Sequence, residues 1–334
     1  MTGLNRRAVL AGGLAAGAVV SVGGAQSRPV VNLQLSWLVN GQQLGEICAK
    51  RLGYYEAEGL DVRMAPGGPN VDGVAVVAAG RADVGQISSS PSLMLAASQD
   101  IPVRCIAVGF QEHPFCFYSL ARNPVRTPQD LVGKRVGIQQ TAIVLLRALL
   151  AKNGIPENQV RVVPIGADLS SLLTGQVDVA TAWTVNVAII RALGDQAVAL
   201  RLWDAGVRLY AKPYYAQPRA IETRADALAK FLRATAKGWE WAHANRDRAT
   251  DMLIEEVPAL NRADEREGND RVLAASFNAA TAANGWGTMD PRIWQEQIDL
   301  FAQLGQFAAR TPRVEEVMSP AILDLTRDAR ARIG

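Results

Sequence analysis

Apolar and polar residues alternate from Asn32 to Trp37, the two-residue period of a half-buried strand. A polar loop, Asn40 to Gln43, follows, and Leu44 to Leu52 then carries the spacing of a helix. Gly53 suits the end of that helix, and Gly59-Leu60-Asp61-Val62 opens a second strand. The same order returns about one hundred residues later. Arg135 to Ile138 reads as a strand, Gln139-Gln140-Thr141 as a polar loop, Ile143 to Lys152 as a helix closed by Gly154, and Val160 to Val163 as the next strand.

The two passages also match residue by residue. Val62-Arg63-Met64-Ala65-Pro66 parallels Val160-Arg161-Val162-Val163-Pro164, and Gly80-Arg81-Ala82-Asp83-Val84 parallels Gly175-Gln176-Val177-Asp178-Val179. In each Gly-x-x-Asp-Val unit the glycine can end a helix in the left-handed conformation, and the Asp-Val pair opens a short buried strand. Two matches in one order predict two α/β lobes of similar topology, with mainly parallel sheets covered by helices.

Two crossings between lobes are expected, near Phe117 to Arg122 and near Ala211 to Pro218. They divide the chain into a first lobe of residues 28–118 and 213–334 and an inserted second lobe of residues 119–212. The remainder reads as helical. Thr223 with Asp226 forms a capping-box-like start to a helix whose Leu228, Phe231, Leu232 and Trp239 share a face. Asn245 can cap a further helix. Asp290-Pro291 starts one carrying Trp294, Ile298, Phe301 and Leu304. Asp264 to Arg271 is a mixed charge run, read as a solvated loop or helix face.

Residues 1–27 stand apart. Arg6-Arg7, the Gly- and Ala-rich run Ala8 to Val22 and the small residues after it have the layout of an export signal, twin-arginine-like or Sec. The apolar run is shorter than the roughly 20 residues of a membrane-spanning helix. No cysteine precedes Cys48, so a lipid anchor is not expected, and the mature protein is expected to be soluble in the periplasm.

Composition then narrows the function. The chain has 334 residues, and its 49% hydrophobic content excludes disorder as its main character. The net charge of +3 carries no basic tract, so nucleic acid is not an expected partner. Two histidines and three scattered cysteines leave little for a zinc site. Cys48, Cys105 and Cys116 read either as buried free thiols or, for the last two, as a bridge. No nucleophile elbow, phosphate-binding loop or Cys-x-x-Cys is present, so no catalytic residue, metal or cofactor is expected.

In parallel sheets ligands sit beyond the carboxyl ends of the strands. The first lobe then offers Trp37, Asn40, Gln43, Pro66, Gly67, Ser88, Ser89 and Ser90. The second offers Gln140, Thr141, Asp168, Trp183 and Asn186, and the linking segments add His113 and Tyr214. Trp37 and Trp183 stand at matching strand ends, where an indole either stacks on a flat ligand or plugs the core. Asp168 either binds a ligand amine or caps the helix after it. The serines and glutamines place hydroxyls, amides and helix entrances, which can hold an anion, around the cleft.

Trp37-Leu38-Val39-Asn40, Gly53 to Val62, Asp130 to Gly137, Leu172 to Asp178 and Phe231 to Trp239 together resemble type II periplasmic solute-binding proteins of ABC importers. The nearest group binds thiamine-pyrimidine precursors, alkanesulfonates, taurine and nitrate. The resemblance implies two lobes on a two-strand hinge, a small-molecule solute engulfed between them, and delivery to a permease and its ATPase by a monomer that touches the membrane complex only peripherally. It implies binding rather than catalysis. Trp37 and Asn40 match the pyrimidine binders. Gln43 stands where those carry His, Ala188 lies where they carry an acid, and Thr184-Val185-Asn186 does not continue the Trp-Asp-Pro-Tyr pattern of sulfonate binders. The expected solute is therefore small and polar, either pyrimidine-like or an alkanesulfonate-, taurine- or nitrate-type anion. The alternative of another class is a pyrimidine-precursor synthase on the same fold.

Overall fold

The computed structural model describes residues 28–68, 71–166 and 168–334, so the expected export signal at 1–27 lies outside the described residues. The strands, in chain order, are β1 (Val30–Gln34), β2 (Asp61–Ala65), β3 (Val84–Gln86), β4 (Arg104–Phe110), β5 (Phe115–Leu120), β6 (Arg135–Ile138), β7 (Arg161–Pro164), β8 (Val179–Trp183), β9 (Ala197–Arg201) and β10 (Ala211–Ala216). They form two five-stranded sheets, ordered β2-β1-β3-β10-β4 and β7-β6-β8-β5-β9. The helices that matter for the site are α1 (Leu44–Arg51), α2 (Pro91–Ser98), α3 (Ile143–Lys152), α4 (Val187–Ile190), α5 (Ala225–Ala244), α6 (Arg246–Glu256), α7 (Arg262–Ser276) and α8 (Pro291–Gln303).

The two sheets repeat one plan, and the Gly-x-x-Asp-Val units explain it. Gly80 and Gly175 have φ of +71° and +74°, the left-handed turn that glycine adopts freely. The following aspartate then locks the strand that opens its repeat, β1 in the first lobe and β6 in the second. Asn32 N donates to Asp83 Oδ2 at 2.8 Å, and Asp83 N donates back to Asn32 O at 2.9 Å. In the second lobe Arg135 N donates to Asp178 Oδ2 at 2.9 Å, and Asp178 N returns to Arg135 O at 2.9 Å.

Each sheet is parallel except for one strand, and that strand is the one arriving from the other lobe. β5 runs antiparallel to β8 and β9, and β10 antiparallel to β3 and β4. This corrects the expected boundaries. Phe115 to Tyr118 belongs to the second sheet and Ala211-Lys212 to the first, so the crossings are residues 111–114 and 202–210. Both strands are buried along their whole length, and a run buried on both faces shows no alternation that would reveal which sheet it joins.

Leu228, Phe231, Leu232 and Trp239 of α5 are buried over the first sheet, as their spacing requires. Trp294, Ile298 and Phe301 of α8 are buried against α2 and α3, so this helix spans both lobes. Each such side chain stabilises by about 1.5–3 kcal/mol. Asp290 caps α8 through Arg292 N at 2.8 Å. Other caps differ from expectation. The Thr223 hydroxyl donates to Arg219 O inside a preceding helix, Pro218–Thr223, and α5 starts after it without a side-chain cap. Asn245 stands at the start of α6, but its amide donates to Trp241 O. The three cysteines are free and buried, with Cys105 and Cys116 on strands of different sheets, so of the two readings the free thiols hold and the bridge does not. Burial pushes the Cys48 and Cys116 thiols up to about 12 and raises Cys105 as well.

Candidate functional site

The carboxyl ends of β1, β3 and β8 and the first crossing bring a subset of the expected residues together. Ser89 Oγ lies 2.7 Å from His113 Nε2. The Phe115 amide donates to Nδ1 at 3.2 Å, which assigns the proton to Nε2 and makes the serine its acceptor. Burial pushes the His113 pKa down to about 3, so the ring is neutral. Its face meets the Trp183 ring at a centroid distance of 5.2 Å and 67°. One contact chain thus joins a loop of the first lobe, the first crossing and a strand end of the second lobe.

The first-lobe loops also touch one another. Gly67 N donates to Trp37 O at 3.1 Å, and a Cβ at Gly67 would stand 2.4 Å from Leu35 O, so only glycine permits this approach. Gln34 Nε2 donates to Pro66 O at 3.1 Å. Trp37 is left 43% exposed, an unusual state for an indole and one suited to stacking. Asn40 and Gln43 cap each other. Asn40 Oδ1 accepts from Gln42 N at 2.9 Å, and Gln43 Oε1 accepts from Asn40 N at 3.1 Å. Gln43 Nε2 is buried with no partner among the described residues.

Other expected residues are placed differently. Ser90 is fully buried and donates to Gln297 Oε1 at 2.6 Å, fastening α2 to α8 instead of facing a ligand. Tyr214 is also fully buried, its hydroxyl donating to Glu46 Oε1 at 2.6 Å beneath the first-lobe loops. Asp168 is exposed and accepts from Ser170 N at 2.8 Å, and its hydrogen bonds to Ser170 hold the carboxyl below its usual range. That bond ties the carboxylate to the first residue of the short helix Ser170–Leu173, whose N-cap position is Leu169. Ser88 is half-buried, and its carbonyl accepts from Lys212 N at 3.1 Å. Gln140 is exposed, and Asn186 stands half-buried at the start of α4 with its side chain unused as a cap. Thr141 opens the same turn as Gln140.

Two features went unread in the sequence. The mixed charge run is helix α7, and it lies along the seam between the lobes. Gly41 N donates to Glu265 Oε2 at 3.0 Å, beside Asn40. Arg271 Nη1 donates to Thr184 O at 2.8 Å, beside Trp183, and Arg191 of the second lobe pairs with Asp264 at 2.7 Å and Glu267 at 3.2 Å. A Cβ at Gly268 would stand 2.9 Å from Val185 O, so the helix backbone rests directly on that loop. The second is a buried ion pair, Lys212 Nζ to Glu46 Oε1 at 3.1 Å, under the Asn40–Gln43 turn. Burial lowers the Lys212 pKa, and Glu46 opposes that shift. Both looked like ordinary surface charge. The only available signal was the placement of Glu46 between apolar residues of a helix.

A cavity of about 430 Å³ opens on the other side of Thr184, lined by Tyr118, Arg201, Arg271 and Glu112 but by none of the expected contacts. Its arginines are already paired, Arg201 with Glu112 at 2.6 Å and Arg271 with Glu267 at 2.5 Å. Among the described residues no cluster of three or more His, Cys, Asp or Glu side chains is arranged to hold a metal ion, and no helix is long and apolar enough to cross a membrane. The gathered residues can stack on a flat ring and exchange neutral hydrogen bonds with its edge.

Comparison with known proteins agrees with this architecture. The formylaminopyrimidine-binding protein of Halalkalibacterium halodurans is 27% identical over 82% of this chain and 84% of its own length. The riboflavin-binding protein RibY of Chloroflexus aurantiacus is 27% identical over 84% of this chain and 82% of its own. A 4-amino-5-hydroxymethyl-2-methylpyrimidine phosphate synthase of Legionella pneumophila is 25% identical over 69% and 74%. Among solved structures, the alkanesulfonate-binding protein SsuA of Xanthomonas axonopodis pv. citri superposes with a TM-score of 0.64 at 17% identity, covering 88% of this chain and 99% of that one. The two lobes are thus those of the periplasmic binding protein fold. Residues 40–249 match the family model described as NMT1/THI5 like, and the chain belongs to that family.

Proposed function

We propose that this protein is the exported, periplasmic solute-binding component of an ABC importer. It captures a small, flat, polar heterocycle of the pyrimidine type between its lobes and delivers it, as a monomer, to a membrane permease driven by an ATPase. The observation that carries the reading is the Ser89–His113–Trp183 chain across the seam, together with an exposed Trp37 beyond the carboxyl end of β1 in the first lobe. The first lobe supplies a stacking face and amides, the second an indole held by a neutral histidine, and the expected contacts include no free cation to hold a sulfonate. Two relatives named as binding proteins for aromatic nitrogen heterocycles support the same class.

Turnover is disfavoured by the same chemistry. Every cysteine is buried with its thiol pushed up, and His113 is neutral and committed at both nitrogens. A thermal-shift panel of formylaminopyrimidine, riboflavin, an alkanesulfonate and nitrate tests the reading. A heterocycle should raise the melting temperature without being consumed. A shift with the anions alone, or product formation from a pyridoxal cofactor, would overturn it.

A further inference from the structure

The buried pair under the first-lobe loops is more elaborate than the fold needs. Glu46 and Lys212 are both fully buried. One carboxylate oxygen, Glu46 Oε1, accepts from Lys212 Nζ, from the Tyr214 hydroxyl and from Gln86 Nε2. Lys212 Nζ also donates to the Gln42 carbonyl and lies 5.6 Å from the centre of the Trp239 ring. Lys212 has a φ of +54°, a left-handed conformation uncommon for a residue with a side chain. Strain of this kind persists where surrounding structure imposes it, and it gathers at functional sites.

The second lobe closes the same sheet without any of this. Tyr214 pairs with Gln86 in register, and at the repeat-equivalent place Phe117 pairs with Thr181. Two residues earlier on the antiparallel strand, Lys212 is answered by Phe115. The third residue of the first helix is Glu46 in α1 and Leu145 in α3. Phe115, Phe117 and Leu145 share one apolar cluster. Fold closure therefore has an apolar solution in this very chain. A buried ion pair rarely exceeds such a solution in stability, so another role must keep it.

Its position shows that role. Lys212 is the second residue of β10, directly after the return crossing, and its amide holds the Ser88 carbonyl. Its amine holds the carbonyl of Gln42, between Asn40 and Gln43. We propose that Lys212, aimed by Glu46, is a positioning residue that fixes the Asn40–Gln43 turn and the Ser88–Ser90 segment in binding-competent geometry as the chain re-enters the first lobe. The inference rests on the solute-binding reading and deepens it: the pair touches loops, not solute, and sets the fraction of molecules with both loops in place.

The test separates these claims. Lys212→Met alone strands a buried carboxylate and is expected to fold poorly, so the decisive variant is Glu46→Gln with Lys212→Met, which removes both charges together. Hydrogen exchange of the ligand-free protein should rise in residues 38–47 and 87–92 and stay unchanged in β6 and β8. Affinity for the best heterocycle should fall about tenfold if the competent population falls about tenfold. Unchanged exchange in both loops, or a uniform rise over both lobes, would overturn the positioning role. Absence of any binder from the solute panel would instead remove the solute-binding reading, while the exchange result would still decide what Lys212 does.

Discussion

The two lobes share a plan and differ in what fills it. Asp83 and Asp178 make the same pair of bonds to β1 and β6, the opening strands of the two repeats, and Gly80 and Gly175 turn the chain in the same way. Beneath the site loops, however, the first lobe has Glu46, Gln86, Lys212 and Tyr214 where the second has Leu145, Thr181, Phe115 and Phe117. Repetition therefore marks what the fold requires, and the departure from repetition marks where one lobe has been specialised. The first lobe carries the exposed indole and a turn fixed by charge, and the second carries an indole fixed by aromatic contact and by α7.

The two lobes should differ most when one member of the ion pair is removed. Lys212→Met should cost about 3–5 kcal/mol, because a buried carboxylate loses its cation. Copying the second lobe with Glu46→Leu and Lys212→Phe should recover most of that loss, as read by urea unfolding at equal m-value. A double variant no more stable than the single one would show that the two floors are not interchangeable.

Acid should act next. Burial holds the His113 pKa at about 3 in the folded protein, against the ordinary imidazole value of about 6.5 in the unfolded chain. The unfolded chain therefore binds the extra proton between these values. The contribution is complete above pH 6.5 and is lost on acidification through pH 3, at about 1.4 kcal/mol per pH unit. Comparing His113→Gln with the parent protein should show a flatter pH dependence of stability in this window; equal slopes would place the titrating group elsewhere.

The shared feature should respond evenly. Asp83→Ala and Asp178→Ala should each lose about 1–2 kcal/mol through the strand-locking bonds, with little difference between them. A much larger loss in one lobe would mean that the repeat is geometric only. The smallest effect belongs to the seam. Arg191→Ala should leave stability nearly unchanged, because exposed pairs contribute little. It should speed solute release, an effect that fades in high salt and is measurable by stopped-flow fluorescence.

Much of this was legible in the residues. The Gly-x-x-Asp-Val units announced the repeat, and β6 and α3 begin and end where their pattern does. Trp37, Asn40, Ser89, His113 and Trp183 stand where strand ends and crossings put them. Ser90 and Tyr214 were misplaced because a hydroxyl near a strand end reads the same whether it faces the cleft or the core. Glu46 and Lys212 were missed because sequence cannot tell a charge paired indoors from one in water, and they stand 166 residues apart. Helix α7 escaped for a related reason: its ion pairs look like solvated surface until the second lobe is placed against it.

In the proposed bound state one solute bridges the two indoles. Calorimetric titration of formylaminopyrimidine into the parent protein, Trp37→Ala and Trp183→Ala tests it most directly. The parent should bind one solute per chain, and each variant should lose about tenfold in affinity, the scale of one aromatic contact. Binding in the parent that neither substitution weakens would contradict it.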